Sequence, residues 1–352
     1  MKIAASILRQ WLLHPFRVFA VDDYREWKGI SLYIVTLHLA KAIRASSRGE
    51  RIGVFLPTSG MTASAMLAGW ILGRTVVPLN YLLSREELEF IIADAELDAV
   101  ITVGPMLDRF GEMPDGVEAI RMDTMSFKGV PPFRRLVRRD EDFVAVLLYT
   151  SGTSGKPKGV MLTGGNLMAN ISQCIEWARF DRRDGFLGVL PQFHSFGMTV
   201  TTLLPMAIGC RVYYTAKFQV TRILEILRKH RPTALIAIPS MYNALLQAKT
   251  AKKEDFSFLR YIVSGGEPLP DAVYDGFRER FGIRICEGYG LTETAPVTNW
   301  TLPEFERRGT VGQCLPGVEE IIVGEDGVEV VLPGDAALAL WGQLADAGVR
   351  PA

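Results

Sequence analysis

The sequence predicts an α/β fold with two helix-flanked β-sheet subdomains and a small β-rich segment near the C-terminus. Short apolar runs rich in β-branched residues alternate with helical patterns over the first hundred residues, and this alternation resumes after residue 180. Alternation of this kind is typical of sheets with helices packed on their faces. The chain has 352 residues, too many for one small core, so several associated subdomains are expected.

The first half of the chain supplies the clearest elements. Residues 52–56, 75–79 and 99–103 are predicted strands, and residues 61–73 form a predicted helix. Ser84 and Glu87 have the spacing of a capping box, which predicts a helix running to about Ala95. In residues 1–13, one helical face carries a stripe that predicts core packing, with an interfacial membrane anchor as the alternative: Ile3, Ile7, Leu8, Trp11 and Leu12.

The second half continues the pattern. The predicted strands are residues 186–190, 211–214, 234–238, 261–264 and 283–286, with a helix at 221–230. Residues 104–139 contain prolines, glycines and a basic cluster and are predicted to be irregular. A β-hairpin is expected at 320–332, turning at 325–327. We therefore divide the chain into subdomains at 1–180 and 181–305, a β-rich segment at 306–335 and a tail at 336–352.

Composition excludes several classes of protein. The 39 basic and 39 acidic residues balance, so no bulk attraction to nucleic acid is expected. The four cysteines lack metal-ligand or redox spacing and are predicted to be reduced. The sequence has no apolar run long enough to span a membrane and no cleavable leader pattern. The predicted compartment is the cytoplasm, with peripheral membrane contact as a possible addition.

A polar, glycine-rich segment is the strongest chemical signal. It follows the apolar run 143–148 and reads YTSGTSGKPKGV over residues 149–160. Small residues let backbone N–H groups and hydroxyls wrap around phosphate oxygens, and two lysines add charge. Pro157 breaks the Walker spacing, so this is a different phosphate loop bridging two strands. Its predicted nucleotide-binding residues are Thr150, Ser151, Gly152, Thr153, Ser154, Gly155 and Lys156, and Lys158 is a predicted catalytic residue.

The segment resembles the phosphate-binding signature of the adenylate-forming superfamily, which includes acyl-CoA synthetases, peptide-synthetase adenylation domains and beetle luciferases. Further segments resemble that family in the same order, covering about residues 30–332. They read GGEPL at 265–269, EGYGLTET at 287–294, and GTVG at 309–312 followed by LPG at 315–317. Earlier matches are LAG at 67–69 and VPLN at 77–80. Five ordered matches make coincidence negligible.

The resemblance implies roles for individual residues. Tyr289 would stack on adenine, Thr292 would hydrogen-bond the α-phosphate, and Glu293 would hold Mg²⁺ as a hard oxygen ligand. Thr150 is the second predicted metal contact. The resemblance also assigns the adenine turn and the following motif to nucleotide binding, through Gly265, Gly266, Glu267, Pro268, Gly288, Gly290 and Leu291. Lys158 and the metal would neutralise charge while a substrate carboxylate attacks the α-phosphate.

The substrate side resembles the family segment PQFHSFG at 191–197. His194 is predicted to gate the carboxylate site, and its presence where amino-acid-activating members carry aspartate disfavours an amino-acid substrate. Gly290 stands where the members with the smallest substrates carry a bulky aromatic, which predicts space for a longer fatty or aryl acid. Coenzyme A is the acceptor expected from the family.

Family members continue into a lid domain that carries an essential lysine, and this sequence has no lysine after Lys253. We therefore expect the lid to be absent, a separate lid domain or chain to be a partner, and adenylation to be impaired without it. The alternative is a non-catalytic nucleotide- or acyl-binding module. A serine hydrolase using Ser151 or Ser154 is disfavoured because neither serine lies in a nucleophile elbow.

Overall fold

The computed structural model describes residues 1–151 and 157–321, with the side chain of Ser151 left out. Its strands are β1 (Val18–Val21), β2 (Glu26–Lys28), β3 (Arg51–Val54), β4 (Thr75–Pro78), β5 (Ala99–Thr102), β6 (Glu118–Arg121), β7 (Val144–Ser151), β8 (Pro157–Thr163), β9 (Gly185–Gly188), β10 (Arg211–Tyr214), β11 (Ala234–Ala237), β12 (Tyr261–Ser264), β13 (Cys286–Gly290), β14 (Val297–Trp300) and β15 (Gln313–Cys314).

Helices connect most of these strands. They are α1 (Lys2–Leu13), α2 (Gly29–Ser46), α3 (Gly60–Ile71), α4 (Arg85–Asp94), α5 (Gly104–Phe110), α6 (Gly164–Ala178), α7 (Ser195–Met198), α8 (Leu204–Ile208), α9 (Val220–His230), α10 (Pro239–Gln247) and α11 (Asp271–Phe281). A π-helical turn, Thr199–Leu203, joins α7 to α8, and a 3₁₀ turn, Thr292–Thr294, follows β13. The predicted α/β class is confirmed.

The first sheet has the strand order β6-β5-β3-β4-β7-β8. Its pairs are parallel except β7 with β8, which run antiparallel on either side of residues 152–156. Strands β4 and β5 are buried throughout, as expected for the middle of a sheet covered on both faces. The sheet therefore ends in a hairpin whose connecting segment is the predicted phosphate loop.

The second sheet has the order β15-β14-β13-β12-β11-β9-β10-β1-β2. Strands β1, β10, β9, β11, β12 and β13 run parallel, whereas β2, β14 and β15 join by antiparallel pairing. Residues 18–28, which lie within the proposed subdomain 1–180, belong to this second sheet, because β1 pairs with β10 and β2 pairs with β1. A local alternation pattern cannot reveal a partner that lies some two hundred residues further along the chain.

Other predictions are confirmed or corrected at single elements. The capping box of α4 is present, with Ser84 Oγ accepting from Glu87 N and Glu87 Oε2 accepting from Ser84 N at 2.8 Å. Residues 104–139 were expected to be irregular, but they contain α5 and β6, because β6 pairs with the buried β5. The strand expected at 283–286 begins only at Cys286, since its pairing partners β12 and β14 meet the later residues.

Both sheets contribute to one hydrophobic core. Ile52 and Val76 of the first sheet belong to the same buried cluster as Phe186 and Leu235 of the second. Helix α1 adds Ile3, Ile7 and Trp11, all fully buried, which confirms core packing for that part of the predicted stripe; Leu12 lies outside it and is exposed. Within residues 1–151 and 157–321, no helix is long and apolar enough to cross a membrane.

Candidate nucleotide and acyl site

A cavity of about 610 Å³ lies beyond the carboxyl ends of β9, β11, β12 and β13. Ligands of open α/β sheets bind at this edge, where the connecting loops spread apart. A larger depression of about 750 Å³ lies near the amino end of β12, against Trp177 and Phe305, and holds none of the predicted site residues. The smaller cavity is therefore the candidate site.

The cavity brings together most of the residues predicted on the second sheet. Its lining includes His194, Gly265, Gly266, Glu267, Gly288, Tyr289, Gly290, Leu291 and Thr292. Pro268 follows in the same turn and is exposed, but it does not line the cavity. Glu293 follows Thr292 in the exposed 3₁₀ turn. The predicted binding residues Gly152, Thr153, Ser154, Gly155 and Lys156 lie outside the described part of the chain.

The β7–β8 hairpin brings the predicted catalytic lysine to the same region. Thr150 is paired directly with Lys158, and residues opposite each other in an antiparallel pair place their side chains on the same face. The neighbouring Tyr149 therefore points to the other face, where its hydroxyl donates to Asp94 at 2.5 Å. Strand β8 contacts the turn Thr292–Thr294. Lys158 and Glu293 thus lie on elements that contact each other, and Thr292 of the same turn lines the cavity.

Thr292, at the start of this turn, has a polar partner. Its hydroxyl lies 3.3 Å from that of Ser195 at the start of α7. The turn itself is closed by Thr294 Oγ1, which accepts from Leu291 N at 3.0 Å, and by Leu291 N, which also donates to Pro296 O at 3.1 Å. The Ser195–Thr292 contact links the acyl segment to the nucleotide motif, and sequence spacing gave no sign of it.

Gly290 has a different structural reason from the one expected. The Cβ of any other residue would lie 1.9 Å from the carbonyl oxygen of Pro296, in the backbone just before β14. The space beside Gly290 in that direction is therefore filled by backbone and is not free for an acyl chain. A side chain here would force the neighbouring backbone to shift, because β13 and β14 approach closely at an irregular register between Tyr289 and Gly290.

A half-buried ion pair, Arg308 with Glu287, contacts the predicted adenine turn. Arg308 contacts the carboxylate of Glu287 and donates at 2.6 Å to Leu269 O and to Asp271 Oδ1. Glu287 Oε2 also accepts from Leu269 N at 3.2 Å. Burial raises the pKa of Glu287 above its ordinary value, and Arg308 opposes that shift. Sequence reasoning missed this pair because its members lie twenty-one residues apart in two separate motifs.

The inner wall of the cavity is apolar. No lysine or arginine is found among its described lining residues, and the ionisable side chains there are His194, Glu267 and Tyr289. The His194 side chain is accessible from the cavity. The protein atoms packed around it partly remove its imidazole from water, which lowers the pKa of that group. The neutral form is therefore favoured near neutral pH. The apolar lining comprises Leu190, Val200, Ile236, Ile238, Met241, Val263, Val297 and Trp300.

The donor set fits magnesium better than a transition metal. Among the described residues, no three His, Cys, Asp or Glu side chains converge as metal ligands. Mg²⁺ needs only one or two protein oxygens, because it keeps waters and binds the phosphates of its nucleotide. One carboxylate from Glu293 and one hydroxyl from Thr150 suit that pattern.

Comparison with known proteins agrees with this architecture. The long-chain-fatty-acid–CoA ligase of Bacillus subtilis is 27% identical over 81% of this chain and 59% of its own length. The sulfoacetate–CoA ligase of Cupriavidus necator is 29% identical over 86% of this chain and 63% of its own length. The chain thus spans less than two thirds of either relative.

The crystal structure of apo MatB from Rhodopseudomonas palustris superposes with a TM-score of 0.81 at 25% identity, covering 93% of this chain and 68% of MatB. The family model described as AMP-binding enzyme matches residues 8–344. This chain belongs to the AMP-binding enzyme family.

Proposed function

We propose that this chain activates an apolar monocarboxylic acid with ATP, forming an acyl-adenylate and pyrophosphate. The observation that carries the proposal is the continuity of one cavity. Its mouth holds the nucleotide motif Gly288–Thr292, and its inner wall is built from aliphatic side chains and Trp300. A site of this kind suits a ligand with one charged end and an apolar body.

The chemistry needs a stabilised transition state more than it needs a base. The substrate carboxylate is already a nucleophile; its oxygen bonds to the α-phosphorus while the bond to the pyrophosphate oxygen breaks. Lys158 and the Thr292 hydroxyl would stabilise the charge that develops on the phosphate oxygens. Mg²⁺ held by Glu293 and Thr150 would neutralise further phosphate charge. His194, kept neutral, would border the carboxylate without adding a cation.

The lining also favours one substrate class over another. A second acidic group on the substrate, such as a sulfonate, would need a cation or several donors inside the cavity. The described lining offers no lysine or arginine for that purpose. We therefore favour a fatty or aryl acid over a sulfonated or dicarboxylic acid.

Thioester formation from the acyl-adenylate is proposed as the second step in the whole protein. Coenzyme A is the acceptor expected from the family, and a lid domain is a candidate partner. A separately expressed lid domain that raises thioester formation by this chain would support that partnership. No gain in thioester formation would count against it.

The test is ATP–pyrophosphate exchange with acids of rising chain length, benzoate and sulfoacetate. We expect exchange with at least one apolar acid, none with sulfoacetate, and loss of exchange in Glu293→Ala. Glu279→Ala is the matched control, because Glu279 is an exposed glutamate of α11 outside the cavity. ATP binding without exchange for any acid would contradict the proposal and favour a non-catalytic nucleotide-binding module.

A further inference from the structure

A second cavity, of about 290 Å³, lies at the opposite edge of the nine-stranded sheet. Its lining residues come from the amino ends of β9 and β10, the segment before β11 and the residue preceding β1. Five arginines and one carboxylate, Asp184, line it. The arginines come from separate parts of the chain: Arg17, Arg182, Arg183, Arg211 and Arg231. We call these side chains the arginine cavity.

The acidic residues nearby leave most of this charge in place. Asp184 is buried and accepts from Arg260 at 2.8 Å, outside the cavity, and from Thr233 Oγ1 at 2.7 Å. Asp181 pairs with Arg183 at 2.5 Å, and the hydrogen bonds from Arg183 lower the pKa of Asp181 to about 2. Each carboxylate thus has a close arginine partner, and among the described lining residues Asp184 is the one acidic side chain.

Neighbouring groups respond to the remaining positive field. Burial is the main cause that lowers the pKa of Arg17, and repulsion from Arg182 and Arg211 lowers it further. The pKa of His230 is lowered first by burial and then by Lys229 and Arg211. Like charges held this close destabilise each other unless an anion lies between them.

Exposed apolar side chains lie beside the cavity in sequence. Helix α1 ends at Leu13, and the turn that follows leads through Phe16 into Arg17. Leu12 is 47% exposed, Leu13 61% and Phe16 78%. Exposing three large apolar side chains within five residues to water is unfavourable, and clustered exposed apolar side chains mark contact surfaces.

We propose that the arginine cavity and the α1 turn, residues 12–17, dock this protein on a membrane surface that contains anionic phospholipid. The arginines would bind headgroup phosphates, and Leu12, Leu13 and Phe16 would enter the interfacial region. Peripheral proteins are held on bilayers by basic residues at an anionic leaflet together with inserted apolar residues. A free anion would use the arginines and leave the apolar side chains unexplained.

Vesicle sedimentation tests the proposal. The full chain is mixed with phosphatidylcholine vesicles or with equimolar phosphatidylcholine–phosphatidylglycerol vesicles at fixed ionic strength. We expect selective binding to the mixed vesicles. Arg182→Gln/Arg183→Gln should weaken that binding by about 25-fold, since each lost charge costs about fivefold at an anionic surface. Phe16→Ser should weaken it by about tenfold.

The control removes two exposed arginines from another basic segment that also carries exposed apolar residues. Arg135→Gln/Arg138→Gln makes the same change in net charge and should leave vesicle binding unaltered. Equal binding to both vesicle types, an equal loss in this control, or binding of inorganic phosphate without vesicle binding would each overturn the proposal. Circular dichroism melting confirms that each variant is folded, which all the replaced side chains permit because they are exposed.

Discussion

At their carboxyl ends, strands β9, β11, β12 and β13 lead to an apolar cavity, with glycine-rich segments at β12 and β13, whereas arginines lie at the amino ends of β1, β9 and β10. The two edges belong to one sheet and differ in charge and in side-chain size. In α/β units the loops after the strands lead into helix N-termini, which favour anions through backbone groups. The amino edge instead collects long cationic side chains, partly because helix α9 ends there with Arg228, Lys229 and His230.

We expect the two edges to bind anions by different means, and mutations can separate the two functions. Anion binding at the carboxyl edge would depend on backbone geometry and a few placed groups. Anion binding at the amino edge would depend on the number of arginine charges. A change at one edge should leave the other function intact.

The largest expected effect comes from the carboxyl edge. Glu293→Ala should lower ATP–pyrophosphate exchange by about 10²–10³-fold, since it removes one preorganised electrostatic contact. Vesicle binding by the same variant should be unchanged. Conversely, Arg182→Gln/Arg183→Gln should keep its exchange rate. Parallel loss of both activities in either variant would show that the two edges do not act independently.

The next effect concerns backbone packing. Gly290→Ala should lower the free energy of unfolding by about 3 kcal/mol, because its Cβ would overlap the carbonyl oxygen of Pro296. Gly185→Ala, at the amino end of β9, is the matched control, since its Cβ would find only ordinary contacts at 3.5 Å. Urea denaturation measures both variants. Equal stability of the two would mean that the close approach at Gly290 relaxes without cost.

A smaller loss is expected from the ion pair behind the adenine turn. Arg308→Gln should destabilise the fold by about 2 kcal/mol, because Glu287 would lose its charged partner. The pKa of Glu287 is already raised above 4.5, and without Arg308 it should rise further. A raised carboxyl pKa contributes stability at low pH that is lost as the pH rises through it. The deficit should therefore be smallest below pH 4.5 and grow above it.

Denaturation at several pH values checks this sign. Glu287→Gln/Arg308→Gln is the control: with no carboxylate left to bury, its stability should not show the added fall above pH 4.5. A deficit for Arg308→Gln that is independent of pH would instead indicate lost packing of the Arg308 side chain.

The smallest effect is a difference between two histidines. His194 has its pKa lowered by burial, whereas His230 is also repelled by Lys229 and Arg211. Both should titrate below 6.5 in NMR spectra, with His194→Asn and His230→Asn used for assignment. Added salt screens charges but not burial, so it should raise the pKa of His230 and leave that of His194 almost unchanged. A salt-sensitive His194 would point to an unrecognised charge in the cavity.

Sequence reasoning succeeded where the information was local. The capping box at Ser84, the buried stripe residues Ile3 and Ile7 and the strand Tyr261–Ser264 each follow from a short pattern of residue types. The motif Gly288–Thr292 lines one cavity, and its role in nucleotide binding stays a prediction. Each of these patterns lies within a short stretch of consecutive residues.

Sequence reasoning did not predict which distant segments would pair. Residues 18–28 join the second sheet, Ser195 meets Thr292, and Arg308 meets Glu287, all between segments far apart in sequence. The close approach of the Pro296 carbonyl oxygen to Gly290 was likewise not predicted. Nothing in a linear pattern states which two segments become neighbours.

By itself, the sequence determined the α/β class, the family motifs and the order in which they occur, because these depend on residue type and local spacing. Tertiary structure alone decided that the motifs at 191–197, 265–269 and 287–294 contribute to one cavity with an apolar inner wall, and that five scattered arginines meet at the other edge of the same sheet. The physical reason is that parallel strands gather segments distant in sequence at common edges, and only the strand order fixes which segments meet.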